Sequence, residues 1–255
     1  MFFALASFAV VTAAPLVPSG KWIVDYRPDM CVVSRQFGAG PQAATLAIKP
    51  TVDMSSSSAT MLILVPNTGG KDRREGSATV ALEPSKDTTK VDFVSWVLKD
   101  QDTRAYSFVV GSEFGAKMSA GSELDLTMGS VSFQLRTGSL QSPMSALKAC
   151  NTDLFQSWGV DVSAVAEPIS TTSWFGPDAY PVDAVRNGQQ GAVVAIVTVT
   201  PDGKPAACKV VISSKVESLD KATCKEAMTR ARFAPAPGST MRSMVLSTRW
   251  VLPDR

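Results

Sequence analysis

GAVVAIVTVTPDGKPAACKVVIS, residues 191–213, is the stretch from which the fold can be read. Gly191–Thr200 is β-branched and apolar, and too short to span a membrane, so it reads as a buried strand. Pro201-Asp202-Gly203-Lys204 carries turn chemistry, with Gly203 free to adopt positive φ. Ala206–Ser213 is a second strand, and so short a connection allows only antiparallel pairing. Downstream, Ser218 is placed to cap a helix over Leu219–Arg232, where Leu219, Ala222, Cys224, Ala227, Met228 and Ala231 mix into an apolar stripe. Asp220 near its start and Arg230 and Arg232 near its end suit the helix dipole, and Pro235 and Pro237 stop it. Met241–Leu252 then alternates, with Met244, Leu246, Thr248, Trp250 and Leu252 on one face of a half-buried strand. The expected product is a three-stranded antiparallel sheet with one packed helix.

Around this core the residues fall into a recognisable order. Tyr180-Pro181, Ala184, Gly188, Gly191, the valines up to Val199, Asp202-Gly203, Ser213-Ser214, Leu219-Asp220, Ala222, Arg232-Phe233 and Pro235-Ala236 together resemble the TonB C-terminal domain family over about the last 75 residues. Cys208 and Cys224 depart from the best-known energy transducers and are similar to a periplasmic branch. The resemblance implies a two-layer α/β module that captures an extended segment of an outer-membrane transporter against a sheet edge. In such β-augmentation, backbone hydrogen bonds supply affinity and alternate side chains supply modest specificity.

The whole chain has 255 residues, 45% of them hydrophobic, enough for one or two packed domains. A formal net charge of +2 gives no electrostatic case for nucleic acid or anionic membrane. There is no histidine, which removes the usual general base, zinc ligand and triad member together. Residues 1–18 are apolar and uncharged, with Thr12-Ala13-Ala14 as a small-residue cleavage candidate. A signal peptide is the first reading and an uncleaved anchor the second. Either places the bulk of the chain outside the cytoplasm: in the periplasm, or anchored to the inner membrane and facing it.

Four cysteines in an exported chain suggest two disulfides among three possible connectivities. Cys208 and Cys224 share one module, and closing the loop between them is worth about 3 kcal/mol in the chain-entropy account. Cys31 and Cys150 then pair by elimination. Four buried thiols are the alternative. The absence of a CxxC spacing argues against redox or zinc chemistry.

In the N-terminal part, strands are expected at 21–26, 31–37, 45–49, 60–65, 77–82, 90–96, 105–110, 122–128 and 130–136, separated by turn signals. That spacing predicts a sandwich or barrel-like sheet, making the whole chain α+β. Ser55–Ser58 and Gly111–Gly121 read as loops. Leu140–Trp158 changes to helical period and closes this domain, with Cys150 turned towards the sheet. The expected division is leader 1–18, β-rich domain 19–160, linker 161–178 and C-terminal module 179–255.

For function, the candidate edge is the terminal strand, with Met244, Leu246, Thr248, Arg249 and Trp250 as partner contacts. Arg242 and Arg249 would discourage indiscriminate pairing. Tyr180-Pro181 occupies the position of the family's Tyr-Pro motif, which the resemblance makes a second contact. The bland alternative is that Tyr180 packs over the helix and Pro181 starts a helical turn. The expected partner is an extended segment of an outer-membrane or envelope protein, with a second copy of the chain, giving a homodimer, as a further option. No cofactor or metal is implied, no nucleic acid, and no membrane contact unless the leader is retained. An anchored energy transducer is a rival reading, and self-association in a structural envelope protein another. Catalysis by Asp25, Asp29, Glu113, Glu123 or Asp125 has no spacing to support it. Asp72-Arg73-Arg74-Glu75 reads as a solvated loop, and Gly138-Ser139-Leu140 falls short of a nucleophile elbow.

Overall fold

The structure, a computed structural model, describes residues 14–50, 58–70, 72–98, 102–169, 174–238 and 240–252. Strands β1 (Ile23–Tyr26), β2 (Cys31–Phe37), β3 (Ala44–Pro50), β4 (Ala59–Pro66), β5 (Arg74–Glu83), β6 (Asp87–Val97) and β7 (Thr103–Val110) are followed by a short helix, α1 (Ser112–Lys117). Then come β8 (Glu123–Met128), β9 (Val131–Leu135) and a long helix, α2 (Gln141–Ser157). These nine strands form one antiparallel sheet in the order β1-β2-β3-β4-β7-β6-β5-β8-β9. Alternation within each strand buries one face; Leu46 and Ile48 in β3, Met61 and Ile63 in β4, and Leu124 and Leu126 in β8 are essentially inaccessible.

The sheet closes on itself through the chain ahead of β1. Leu16 pairs parallel with Leu135 of β9, and Pro18 pairs antiparallel with Phe37 of β2. Leu16 donates its N–H to the Gln134 carbonyl and accepts from Arg136 N–H, while the Val17 carbonyl accepts from Gly38. The sheet domain is therefore a barrel, one of the two architectures expected, and closure removes the exposed edges an open sheet would present. Leu16, Val17 and Pro18, which fall within the expected leader, pair here with β9 and with the end of β2. Of the three, Leu16 packs half-buried against the barrel core, while Val17 is exposed. Residues 1–13 lie outside the described residues, as do Ser55–Ser57 and Ser170–Thr172.

One further expectation changes here. The stretch 111–121 contains α1 and a turn of 3₁₀ helix, because Phe114 and Met118 bury against the barrel core and hold the backbone in helical form. At the far end of the barrel, buried Arg104 donates to Asn67 Oδ1, to the carbonyls of Gly70 and Asp72, and to Ser95 Oγ, pinning the loop before β5. Arg73 and Glu75 pair at the surface at 2.6 Å, as a solvated cluster would. α2 runs as the period predicted, burying Leu147 and Cys150 against the barrel, and Cys150 is bonded to Cys31 at the start of β2 with a Cα–Cα distance of 6.1 Å.

The C-terminal part contains α3 (Val182–Arg186), β10 (Gly191–Val199), β11 (Pro205–Ile212), α4 (Glu217–Arg230) and β12 (Arg242–Trp250). The second sheet has the order β11-β10-β12, antiparallel throughout. Gly203 takes φ +82° in the hairpin, and a Cβ there would stand 2.2 Å from the Phe233 carbonyl oxygen, so only glycine fits. Val193, Ala195, Val197 and Val199 face α4, and the Cys208–Cys224 disulfide, Cα–Cα 5.5 Å, ties β11 to the middle of that helix.

The segment read as a linker is built into this domain. Trp174 is 1% exposed and packs edge-on against Phe233, and Ala166 lies in the same buried cluster. Without regular period, the segment gave no sign of burial. Ser218 does not cap α4 either: the helix begins one residue earlier, at Glu217, and ends at Arg230.

Candidate functional site

β12 is an edge strand, paired on one side only with β10. Its register, Trp250 opposite Gly191 down to Arg242 opposite Val199, places Met244, Leu246, Thr248 and Trp250 on the face covered by α4. Leu246, Thr248 and Trp250 are 7%, 9% and 5% exposed. Trp250 Nε1 donates to Thr223 Oγ1 at 2.9 Å, and that hydroxyl donates to the Leu219 carbonyl. Tyr180 stands edge-on to Trp250 at 5.2 Å and donates its hydroxyl to the Gln189 carbonyl at 2.6 Å; burial pushes its phenol pKa up. Pro181, at φ −63°, is the N-cap residue of α3. The structure thus brings Tyr180 and Trp250 together at one end of the domain, while Leu246 and Met244 pack in a separate buried cluster with Phe233. Arg249 points the other way and is exposed.

The groups free to pair belong to the residues in between. Ser243 donates its N–H to the Ala164 carbonyl and accepts from Ala166 N–H, both at 2.9 Å, so its backbone points away from β10. Strand alternation then directs the N–H and C=O of Val245, Ser247 and Arg249 along the same outer side. Among the described residues, the only chain on that side is the 164–166 segment, pairing parallel with Ser243. The first rung of the edge is occupied by the protein's own backbone and Val245, the next, is buried; those of Ser247 and Arg249 are exposed and, among the described residues, unpaired. Side-chain alternation alone does not say which residues turn their backbone outward; the bonds from Ser243 to Ala164 and Ala166 decide it.

The entry to α4 is fixed electrostatically. Asp220 accepts from Ser213 Oγ at 2.6 Å, Ser214 Oγ at 2.7 Å and Ser214 N–H at 2.9 Å. Burial alone would raise its pKa, but these hydrogen bonds outweigh it and hold the carboxyl below its ordinary value. The pair Ser213-Ser214 and Asp220 is therefore a bracket turning β11 into α4. Of the acidic residues considered for catalysis, Asp25 pairs with Arg27, Glu113 with Lys117, Glu123 with Arg136, and Asp125 accepts from Gln134. Among the described residues, no group of three or more potential metal ligands is assembled.

Residues 177–252 match the family described as Gram-negative bacterial TonB protein C-terminal. This C-terminal module is a member of the TonB C-terminal domain family. One similar solved structure is the solution NMR structure of the Pseudomonas aeruginosa TonB CTD, 24% identical, covering 35% of this chain and 89% of that one, with a TM-score of 0.28. No curated protein matches the chain. TonB C-terminal domains are envelope protein-interaction modules linked to outer-membrane transport; they interact with outer-membrane proteins and are not enzymes. The family is periplasmic and envelope-associated, and among the described residues no helix is long and apolar enough to cross a membrane. The barrel domain lies outside the matched residues.

Proposed function

We propose that this protein binds an extended segment of an outer-membrane or envelope protein by adding it as a strand to the outer edge of β12. The observation that carries the reading is the edge itself: two exposed outward rungs, at Ser247 and Arg249, have no backbone partner among the described residues, on the same edge where residues 164–166 already pair with Ser243. That intrachain pairing supports an edge able to accept an extended backbone. The side chains of Met244, Leu246, Thr248 and Trp250 shape the edge from within, and Tyr180 buttresses Trp250 from the end. The domain division, with leader, barrel and module working as one exported chain, belongs to this proposal.

The test exploits the direction of the Ser247 N–H. Proline at an edge position whose N–H faces outward leaves the ladder to β10 intact and removes the donor a partner needs. A photo-crosslinking residue at Arg249, introduced in cells, is expected to give adducts with an envelope protein. Ser247→Pro in the same chain is expected to abolish them while the purified variant melts within a few degrees of the parent. Adducts indifferent to Ser247→Pro would remove strand addition as the binding mode.

A further inference from the structure

The second face of the C-terminal sheet is covered by the other domain. Val194, Ile196 and Val245, on the side away from α4, pack with Phe155 and Val160, and Trp158 joins them, so the end of α2 lies across the sheet. Beside this contact a cavity of about 210 Å³ remains. Its barrel-domain wall is formed by Met30, Leu154, Phe155 and Trp158, with Asn151 beside them; its floor is the row Ile212, Val194 and Ser247.

That row has a direction. Ile212 pairs with Val194, and Val194 pairs with Ser247, one residue from each strand in order across the sheet. Ser247 is the last, and its N–H and C=O point outward. A strand added there places its own residue next in the row, about 4.8 Å beyond Ser247, with its side chain on the same face. This holds for either strand direction, because laterally adjacent residues share a face in both. The cavity is smaller than the roughly 300–1,000 Å³ of small-molecule sites. It is suited to one side chain, and its walls are mostly apolar.

We propose that this interdomain cavity is a side-chain pocket for the captured segment, so that the barrel domain reads the partner's sequence. The occupant is an extended segment of a partner protein carrying one large apolar residue, leucine, isoleucine, methionine or phenylalanine, opposite Ser247. The proposal rests on strand addition at β12 and gives it a specificity that backbone pairing alone lacks.

The probe is a positional-scanning library of synthetic ten-residue peptides of alternating threonine and valine, one position varied at a time, titrated against the full chain. At one position, leucine-sized side chains are expected to bind about tenfold or more tighter than alanine. Ala192→Phe, at the mouth of the cavity on β10, and Asn151→Trp, on α2, fill it from opposite walls. Both are expected to flatten that preference to within about twofold while alanine-containing peptides keep their affinity. Preference unchanged in both variants, or absent in the parent although Ser247→Pro abolishes binding, overturns the pocket and leaves strand addition standing. Binding indifferent to Ser247→Pro, or no binding by any peptide, overturns both. A dimer dissolved by Ser247→Pro, measured by sedimentation, would assign the edge to a second copy and also overturn the pocket.

Discussion

Asp220 shows how a single side chain can carry a junction. Three hydrogen bonds from Ser213 and Ser214 hold it ionised against the effect of its own burial. A carboxyl whose folded pKa lies below its unfolded value, about 3.9, stabilises the fold above that value and loses the contribution as pH falls through the folded pKa. Asp220→Asn is therefore expected to lower stability at pH 7 and to flatten the acid limb between about pH 5 and pH 2, read by urea denaturation across that range. Thr248 presents the opposite case. Its Oγ1 is buried without a hydrogen-bond partner among the described residues. Thr248→Val keeps the shape and removes the unsatisfied hydroxyl, so its effect should run from neutral to about 1 kcal/mol stabilising. A loss of more than that would mean the hydroxyl is satisfied in solution.

Among the elements, α4 depends on what it is tied to. Its N-cap residue, Val216, supplies no side-chain cap, and the helix carries polar residues around much of its surface. Leu219, Ala222 and Ala227 bury against the sheet, and the Cys208–Cys224 disulfide anchors the middle of the helix to β11. Replacing both cysteines by alanine should cost about 3 kcal/mol through the unfolded chain's regained freedom, measured by chemical denaturation of the double variant against the parent. β12 is held differently, by a ladder on one side and 164–166 on one rung of the other. The alternation of this strand was legible in its residues, and so was the face its apolar side chains occupy. The expected contacts followed the apolar side chains and included Arg249; the exposed outward backbone belongs to Ser247 and Arg249. An alternating strand does not declare which of its residues direct their backbone outward; the bond from Ser243 to Ala164 does.

At the scale of the molecule, Phe155 is the residue that joins the domains. It is 3% exposed, at the end of α2, and packs against Val194 and Ile196. Phe155→Ala should destabilise by about 3–4 kcal/mol and separate the unfolding of barrel and module into two calorimetric transitions, where the parent unfolds with the domains coupled. A single unshifted transition would mean that the interface contributes nothing. This contact makes the C-terminal sheet a middle layer, with α4 on one face and α2 on the other, and it explains why Val245 and Ile196 are buried although they lie off the stripe facing α4.

The residues alone determined the strands, their turns, both helices of more than ten residues, the pairing of the cysteines and the kinship of residues 177–252. Strands, turns and helices are properties of local period and turn chemistry; the Cys31–Cys150 pair, 119 residues apart, followed only by elimination once Cys208 and Cys224 were assigned to one module. Only the tertiary structure decided that Leu16–Pro18 closes the barrel, that 164–166 fills one rung of β12, and that α2 covers the second sheet. Each joins irregular or distant segments through backbone bonds or apolar contact, and neither leaves a periodic trace in the sequence. The open edge is likewise a tertiary fact, since it exists only because no other segment of the described chain reaches it.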